Sequence, residues 1–100
     1  MRHYEAMILL TPELNDEQVE ATLSRYQKVV QDQGGTVHEA GLWEKGRRPL
    51  AYPIRKKTEG IYLLMQFEAE AETPKELDRL LRIDDVVLRH IVLRQDPHEE

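Results

Sequence analysis

Apolar and polar positions alternate from the first residues of the chain. Over residues 2–10, Tyr4, Ala6, Ile8 and Leu10 fall on one side and His3, Glu5, Met7 and Leu9 on the other. That period of two predicts a strand, and the mixed second side makes it a central strand with one face partly wet. Thr11-Pro12 ends it. Asn15 then offers an N-cap, Gln18 completes a capping-box pattern, and Asp16 and Glu17 complement the positive end of a helix dipole. Val19, Leu23, Tyr26 and Val30 follow at helical spacing, with Val29 widening the stripe. Gly34-Gly35 closes this helix, because glycine accepts the left-handed conformation of a C-terminal cap.

From Thr36 the period returns to two. Val37, Leu42 and Trp43 lead into a segment that runs through Ile54, in which Leu50, Tyr52 and Ile54 alternate as packing residues. Pro49 and Pro53 lack a ladder donor, so this strand is expected at an edge, bent or interrupted. Arg55 to Gly60 reads as a hairpin turn and Ile61 to Phe67 as a central strand. Tyr62, Leu64, Gln66 and Glu68 form the more polar of that strand's two sides. Glu68 to Glu72 reads as an acidic loop. Thr73-Pro74-Lys75-Glu76 resembles a second capping box with Pro at the first helical position. Leu77, Leu80 and Leu81 give the following helix an apolar face, Ile83-Asp84-Asp85 links onward, and Val86 to Leu93 forms the last strand. Residues 96–100 read as a polar tail.

The element order is strand, helix, strand, strand, helix, strand. It predicts an α+β domain of ferredoxin-like split β-α-β-β-α-β type over residues 1–95. Right-handed crossovers place both helices on one face of a four-stranded antiparallel sheet and leave the other face open. One hundred residues suffice for one such core. The absence of cysteine excludes disulfides and thiolate metal sites. The apolar run Ala6 to Leu10 is too short for a signal-peptide core.

Charge changes the picture more than composition does. Residues 45–57, KGRRPLAYPIRKK, hold six of the fourteen Lys and Arg and no acid; the other eight face nineteen Asp and Glu. A local charge of +6 thus sits within a remainder of −11. This asymmetry suggests a polyanion met by one part of the surface. The competing reading is a set of solvated charges at strand ends, balanced by the helices' acids.

Three blocks resemble one family, the bacterial small-subunit (30S) ribosomal protein S-six family. They are Met1-Arg2-His3-Tyr4-Glu5 with the apolar run through Pro12, then Gly46 to Ile54 continuing through Lys56 to Glu59-Gly60-Ile61-Tyr62, and Leu81-Arg82-Ile83-Asp84-Asp85 with Val87-Leu88-Arg89. The resemblance covers about residues 1 to 95. It implies a ferredoxin-like fold, no catalysis and no cofactor. It also implies pairing with ribosomal protein S-eighteen and joint binding to the central domain of 16S ribosomal RNA.

Within that frame, Arg47, Arg48, Arg55, Lys56 and Lys57 are candidate phosphate contacts, Arg offering a bidentate fork and Lys a point charge. Arg2 and Arg89 match family positions and join them. An antiparallel pairing of the first and last strands brings Arg94 near Arg2. Trp43 is a candidate partner anchor or a strand-edge plug. Tyr62 is the aromatic expected on the open face, where it can meet a partner or stack on a base, whereas Tyr4 is expected in the core. His3, His38, His90 and His98 lack the short spacing of metal ligands, so no metal site is expected. Asp84 and Asp85 are expected to shape a turn or to pair with Arg82 and Arg89.

Two other functions fit the fold class. A regulatory small-ligand module needs a glycine-bearing loop after the first strand, and an acylphosphatase-like hydrolase needs an Arg there. The loop is Thr11-Pro12-Glu13-Leu14, with neither.

Overall fold

The computed structural model describes residues 1–95, and of residues 44–46 only the strand they belong to. Its elements are β1 (Arg2–Leu10), α1 (Asp16–Asp32), β2 (Thr36–Ile54), β3 (Lys57–Ala69), α2 (Glu72–Ile83) and β4 (Val87–Arg94). The strands form one antiparallel sheet in the order β2-β3-β1-β4. This is the ferredoxin-like arrangement, with β1 and β3 inside and the proline-bearing β2 at an edge. The expected polar tail, residues 96–100, lies outside the described residues.

The alternation of β1 sets the core. Tyr4, Ala6, Ile8 and Leu10 are buried, and they meet Leu63, Met65 and Phe67 of β3 beneath Val19, Leu23, Tyr26 and Val30 of α1 and Leu77 and Leu81 of α2. Each such side chain contributes roughly 1.5–3 kcal/mol of burial. One set of sheet positions thus carries both helices, and the other set, beginning with Glu5 and Met7, faces outward.

α1 is capped at both ends as its sequence predicts. Asn15 Oδ1 accepts from the Gln18 amide at 2.8 Å and Gln18 Oε1 accepts from the Asn15 amide at 2.9 Å. At the other end Gly34 takes φ +84°, so its N–H reaches Gln31 O at 3.0 Å and that of Gly35 reaches Val30 O at 2.9 Å. This is the paired closure of a Schellman motif.

α2 begins differently from the expectation. Ala71 occupies the N-cap position without a side-chain bond, and the helix is under way at Glu72. Thr73 does not cap, because its hydroxyl is buried and donates to Gln33 Oε1 at 3.1 Å, tying α2 to the end of α1. The acidic stretch expected as a loop is shorter than that: β3 runs to Ala69, with Glu68 opposite His3, α2 starts at Glu72, and only Glu70 and Ala71 connect them.

The hairpin between β2 and β3 also departs from the expectation. Its turn is only Arg55-Lys56, with φ 51° and 66°, between the paired residues Ile54 and Lys57. Two positive φ values in a two-residue loop are the geometry whose twist matches that of antiparallel strands. Gly60, expected in the turn, lies inside β3. A Cβ there would sit 2.4 Å from Leu9 Cδ1 and 3.1 Å from Leu10 O, so this glycine permits a close approach to β1. The result is a long two-stranded arm at one end of the sheet. Tyr52, expected to pack within it, is 60% exposed.

Candidate functional site

The basic segment lies along this arm, and its cations divide by where their donors end. Two turn inward. Arg47 Nη2 donates to Leu14 O at 2.7 Å and its Nη1 donates to Pro12 O, so the fork grips the β1–α1 loop. Lys57 Nζ pairs with Glu13 on the same loop, and that hydrogen bond holds the Glu13 carboxyl below its ordinary pKa. Two others sit at the tip. Arg55 is exposed and makes one long contact, Nη1 to Asp85 O at 3.4 Å, while Lys56 is exposed with no ion pair among the described residues. Arg48 is exposed on β2, opposite Gly60.

The tip reaches across the end of β1 toward β4. Besides the Arg55–Asp85 contact, the Arg89 guanidinium lies 6.0 Å from the centroid of the Tyr52 ring, at the outer limit of a cation–π contact. Arg89 pairs with Leu9 of β1 and so belongs to the open side. The structure therefore gathers Arg55, Lys56, Arg89 and the exposed ring of Tyr52 at one corner. It leaves Arg2 out: residues 2 and 10 stand at opposite ends of β1, about 26 Å apart at ~3.3 Å per residue. Arg94 pairs with Tyr4 and shares that far end with Arg2, as the antiparallel pairing predicts.

The open face carries the aromatic pair. Trp43 and Tyr62 meet edge to face, with ring centroids 5.5 Å apart at 75°. Both are half-buried, and the T-shaped geometry is one that aromatic quadrupoles favour. Across the sheet, Ile91 and Leu93 of β4 are 49% and 44% exposed. An unpaired apolar surface of this kind, next to a cluster of cations, offers contact to a partner and to a polyanion at once.

The β1–α1 loop is held by contacts from two neighbouring segments. The Thr11 amide donates to Val86 O at 2.9 Å, the Thr11 hydroxyl donates to Glu13 at 3.0 Å, and Arg47 takes the Pro12 and Leu14 carbonyls.

Comparison with known proteins agrees with this geometry. The family model described as Ribosomal protein S6 matches residues 3–94. The small ribosomal subunit protein bS6 of Carboxydothermus hydrogenoformans is 48% identical over 96 residues, covering 96% of this chain and 98% of its own length. That of Clostridium botulinum is 45% identical, covering 96% and 100%. The chain belongs to the ribosomal protein S6 family. The crystal structure of 30S ribosomal protein S6 from Thermotoga maritima superposes with a TM-score of 0.86 at 26% identity, over 94% of this chain and 87% of that one.

Two further groupings in this S6-family chain were not expected. Asp84 shapes the turn before β4, one of its two expected roles, but pairs with neither Arg82 nor Arg89. Its Oδ2 accepts from Arg25 and from the Tyr26 hydroxyl, and its Oδ1 accepts from the Val86 amide at 3.1 Å. Burial, reinforced by the hydrogen bond to Asp84, pushes the Tyr26 pKa up to about 12. Arg82 pairs with Asp78 instead. The second grouping is His3, His38 and Glu68, whose ligating atoms lie within 4.8 Å of one another. Spacing along the chain gave no sign of it because the three residues come from three strands. The strand register was the only signal: His3 stands opposite Glu68.

Proposed function

We propose that this chain is a structural RNA-binding component of the small ribosomal subunit that binds the central domain of 16S ribosomal RNA jointly with ribosomal protein S-eighteen. Family membership puts the chain in the small subunit of the cytoplasmic ribosome. The observation that carries the RNA reading is the corner where the arm tip meets β4, with Arg55, Lys56 and Arg89 beside the exposed Tyr52 ring. Cations next to an exposed aromatic suit a single-stranded or looped RNA, where phosphates and unstacked bases are both accessible. The rest of the surface is acidic and repels RNA, so the chain presents this corner in one orientation.

The same acidity favours a basic partner. Complementary charge steers such an encounter, and the open face supplies an apolar anchor in Trp43 and Tyr62. The partner then contributes positive charge that this chain lacks. Arg48 extends the candidate contact surface along β2, Arg2 is a separate candidate contact at the far end of β1, and Arg47 acts mainly by holding the arm to the domain.

The test is binding of the chain to a 16S central-domain fragment, titrated with and without S-eighteen at several salt concentrations. Joint binding predicts weak association by the chain alone and a marked gain with the partner. Tight binding by the chain alone, unchanged by the partner, would contradict it.

A further inference from the structure

At the end of the sheet opposite the arm, His3, Glu68 and His38 stand side by side on β1, β3 and β2, three adjacent strands. The His38 Nε2 is 3.3 Å from Glu68 Oε1, and His3 Nε2 is 4.0 Å from Glu68 Oε2. The two imidazoles stack with centroids 6.0 Å apart and planes 24° from parallel, which turns both Nε2 atoms toward the same carboxylate. The fold builds this convergence with a bulge. Val37 pairs with Phe67 and Glu39 with Gln66, so His38 is the extra residue between them. Bulges re-aim side chains in this way.

We propose that His3, His38 and Glu68 form a binding site for one late first-row divalent cation, Zn²⁺ above all. The donor set decides the class of metal. Two imidazoles and one carboxylate suit Zn²⁺, Cu²⁺ or Ni²⁺, whereas Mg²⁺ and Ca²⁺ require an all-oxygen shell. The geometry is near what zinc needs. Ligand bonds of ~2.0–2.2 Å in a tetrahedron put donor atoms about 3.3 Å apart, which the His38–Glu68 pair already matches. His3 Nε2 faces the other carboxylate oxygen, and the three ligand atoms lie within 4.8 Å of one another, so the rings must close by up to about 1.5 Å. The His3 side chain is 48% exposed and that of His38 49%, so both rings can turn without disturbing the core. Water completes the fourth position.

The local field favours a cation as well. Glu5 and Glu39 both pair with Gln66, one residue pair inward from Glu68, so three carboxylates frame the site. Arg2 and Arg94 share this end of the sheet, but the alternation that buries Tyr4 puts them on its other side. A bound ion would fasten the edge strand β2 to β1 through β3, at the end of the sheet that the arm does not reach. The two sites are thus independent.

Isothermal titration of the full chain with ZnCl₂, and separately with MgCl₂, tests the site. The expected result is one Zn²⁺ per chain and no heat from Mg²⁺. His3→Ala, His38→Ala and Glu68→Gln should each weaken zinc binding at least about tenfold, the scale on which even outer partners of a metal ligand act. His90→Ala and His98→Ala should leave it unchanged. His3 and His38 are exposed and Glu68 is half-buried, and thermal unfolding of each variant without metal checks that it folds. Absence of saturable zinc binding overturns the proposal. So does binding that survives the His3→Ala, His38→Ala double variant.

Discussion

The foot and the tip of the β2–β3 arm carry similar charge and use it in opposite ways. At the foot, Arg47 spends its donors on the β1–α1 loop, and Lys57, although it stands next to the turn, reaches back to Glu13 on the same loop. At the tip, Arg55 and Lys56 sit in a left-handed turn with most of their donors facing solvent. One run of basic residues is therefore two devices, a clamp and a presented charge. What separates them is the end point of each guanidinium or ammonium group, which the density of charge in the sequence does not reveal. Stability measurements should respond to the foot, and RNA binding to the tip.

The foot should be the more fragile. Gly60→Ala forces a Cβ against Leu9 and the Leu10 carbonyl, where the arm leaves the sheet. Overpacking of this kind costs about 1–3 kcal/mol, which chemical denaturation will show as a lower midpoint at unchanged m value. Arg47→Ala removes two hydrogen bonds from the β1–α1 loop, and the expected cost is about 1–2 kcal/mol. In a domain of this size that lowers Tm by roughly 4–8 °C per kcal/mol. An Arg47→Ala protein with unchanged Tm would erase the distinction between foot and tip.

Tyr26→Phe probes the loop on which the tip lands. It removes one of the bonds that hold Asp84, next to the Asp85 carbonyl that Arg55 meets. The effect has a pH signature. The Tyr26 pKa is raised to about 12 in the folded protein, against about 10 unfolded. Above pH 10 the unfolded chain has lost a proton that the folded one keeps, so stability falls as pH rises. The stabilisation tied to the neutral hydroxyl is complete below pH 10 and disappears as pH rises toward 12. Thermal melts from pH 8 to 12 should show a steeper fall in the parent than in Tyr26→Phe, and parallel curves would contradict the assignment.

How far these devices were visible in the sequence follows the same physical divide. β1 and α1 were legible because burial repeats at the period of the element, from Tyr4 to Leu10 and from Val19 to Val30. The edge position of β2 was legible from Pro49 and Pro53. The start of α2 was not, since the Thr73 hydroxyl that looked like a cap is claimed by Gln33, forty residues away in the chain. The hairpin turn was misplaced because Gly60 looks like a turn residue, whereas Arg and Lys at positive φ do not. Of the candidate contacts, Arg55, Lys56 and Arg89 converge and Arg2 stands apart. The edge-to-face pairing of Trp43 with Tyr62 follows from their cross-strand proximity. The His3, His38 and Glu68 corner depends wholly on register and a bulge, and no local pattern encodes either.

The smallest change in stability should accompany the most informative change in binding. Arg55→Asn with Lys56→Gly puts the preferred pair for a two-residue hairpin turn at the two positive-φ positions. Relief of that backbone should stabilise the fold by about 1 kcal/mol while removing both charges of the tip. The decisive measurement is the affinity of this double variant for the 16S central-domain fragment, with S-eighteen present, across a salt series. We expect a variant that melts higher yet binds RNA more weakly, with the slope of log K against log salt reduced by about two. An unchanged affinity and an unchanged salt slope would show that the tip of the arm does not meet RNA.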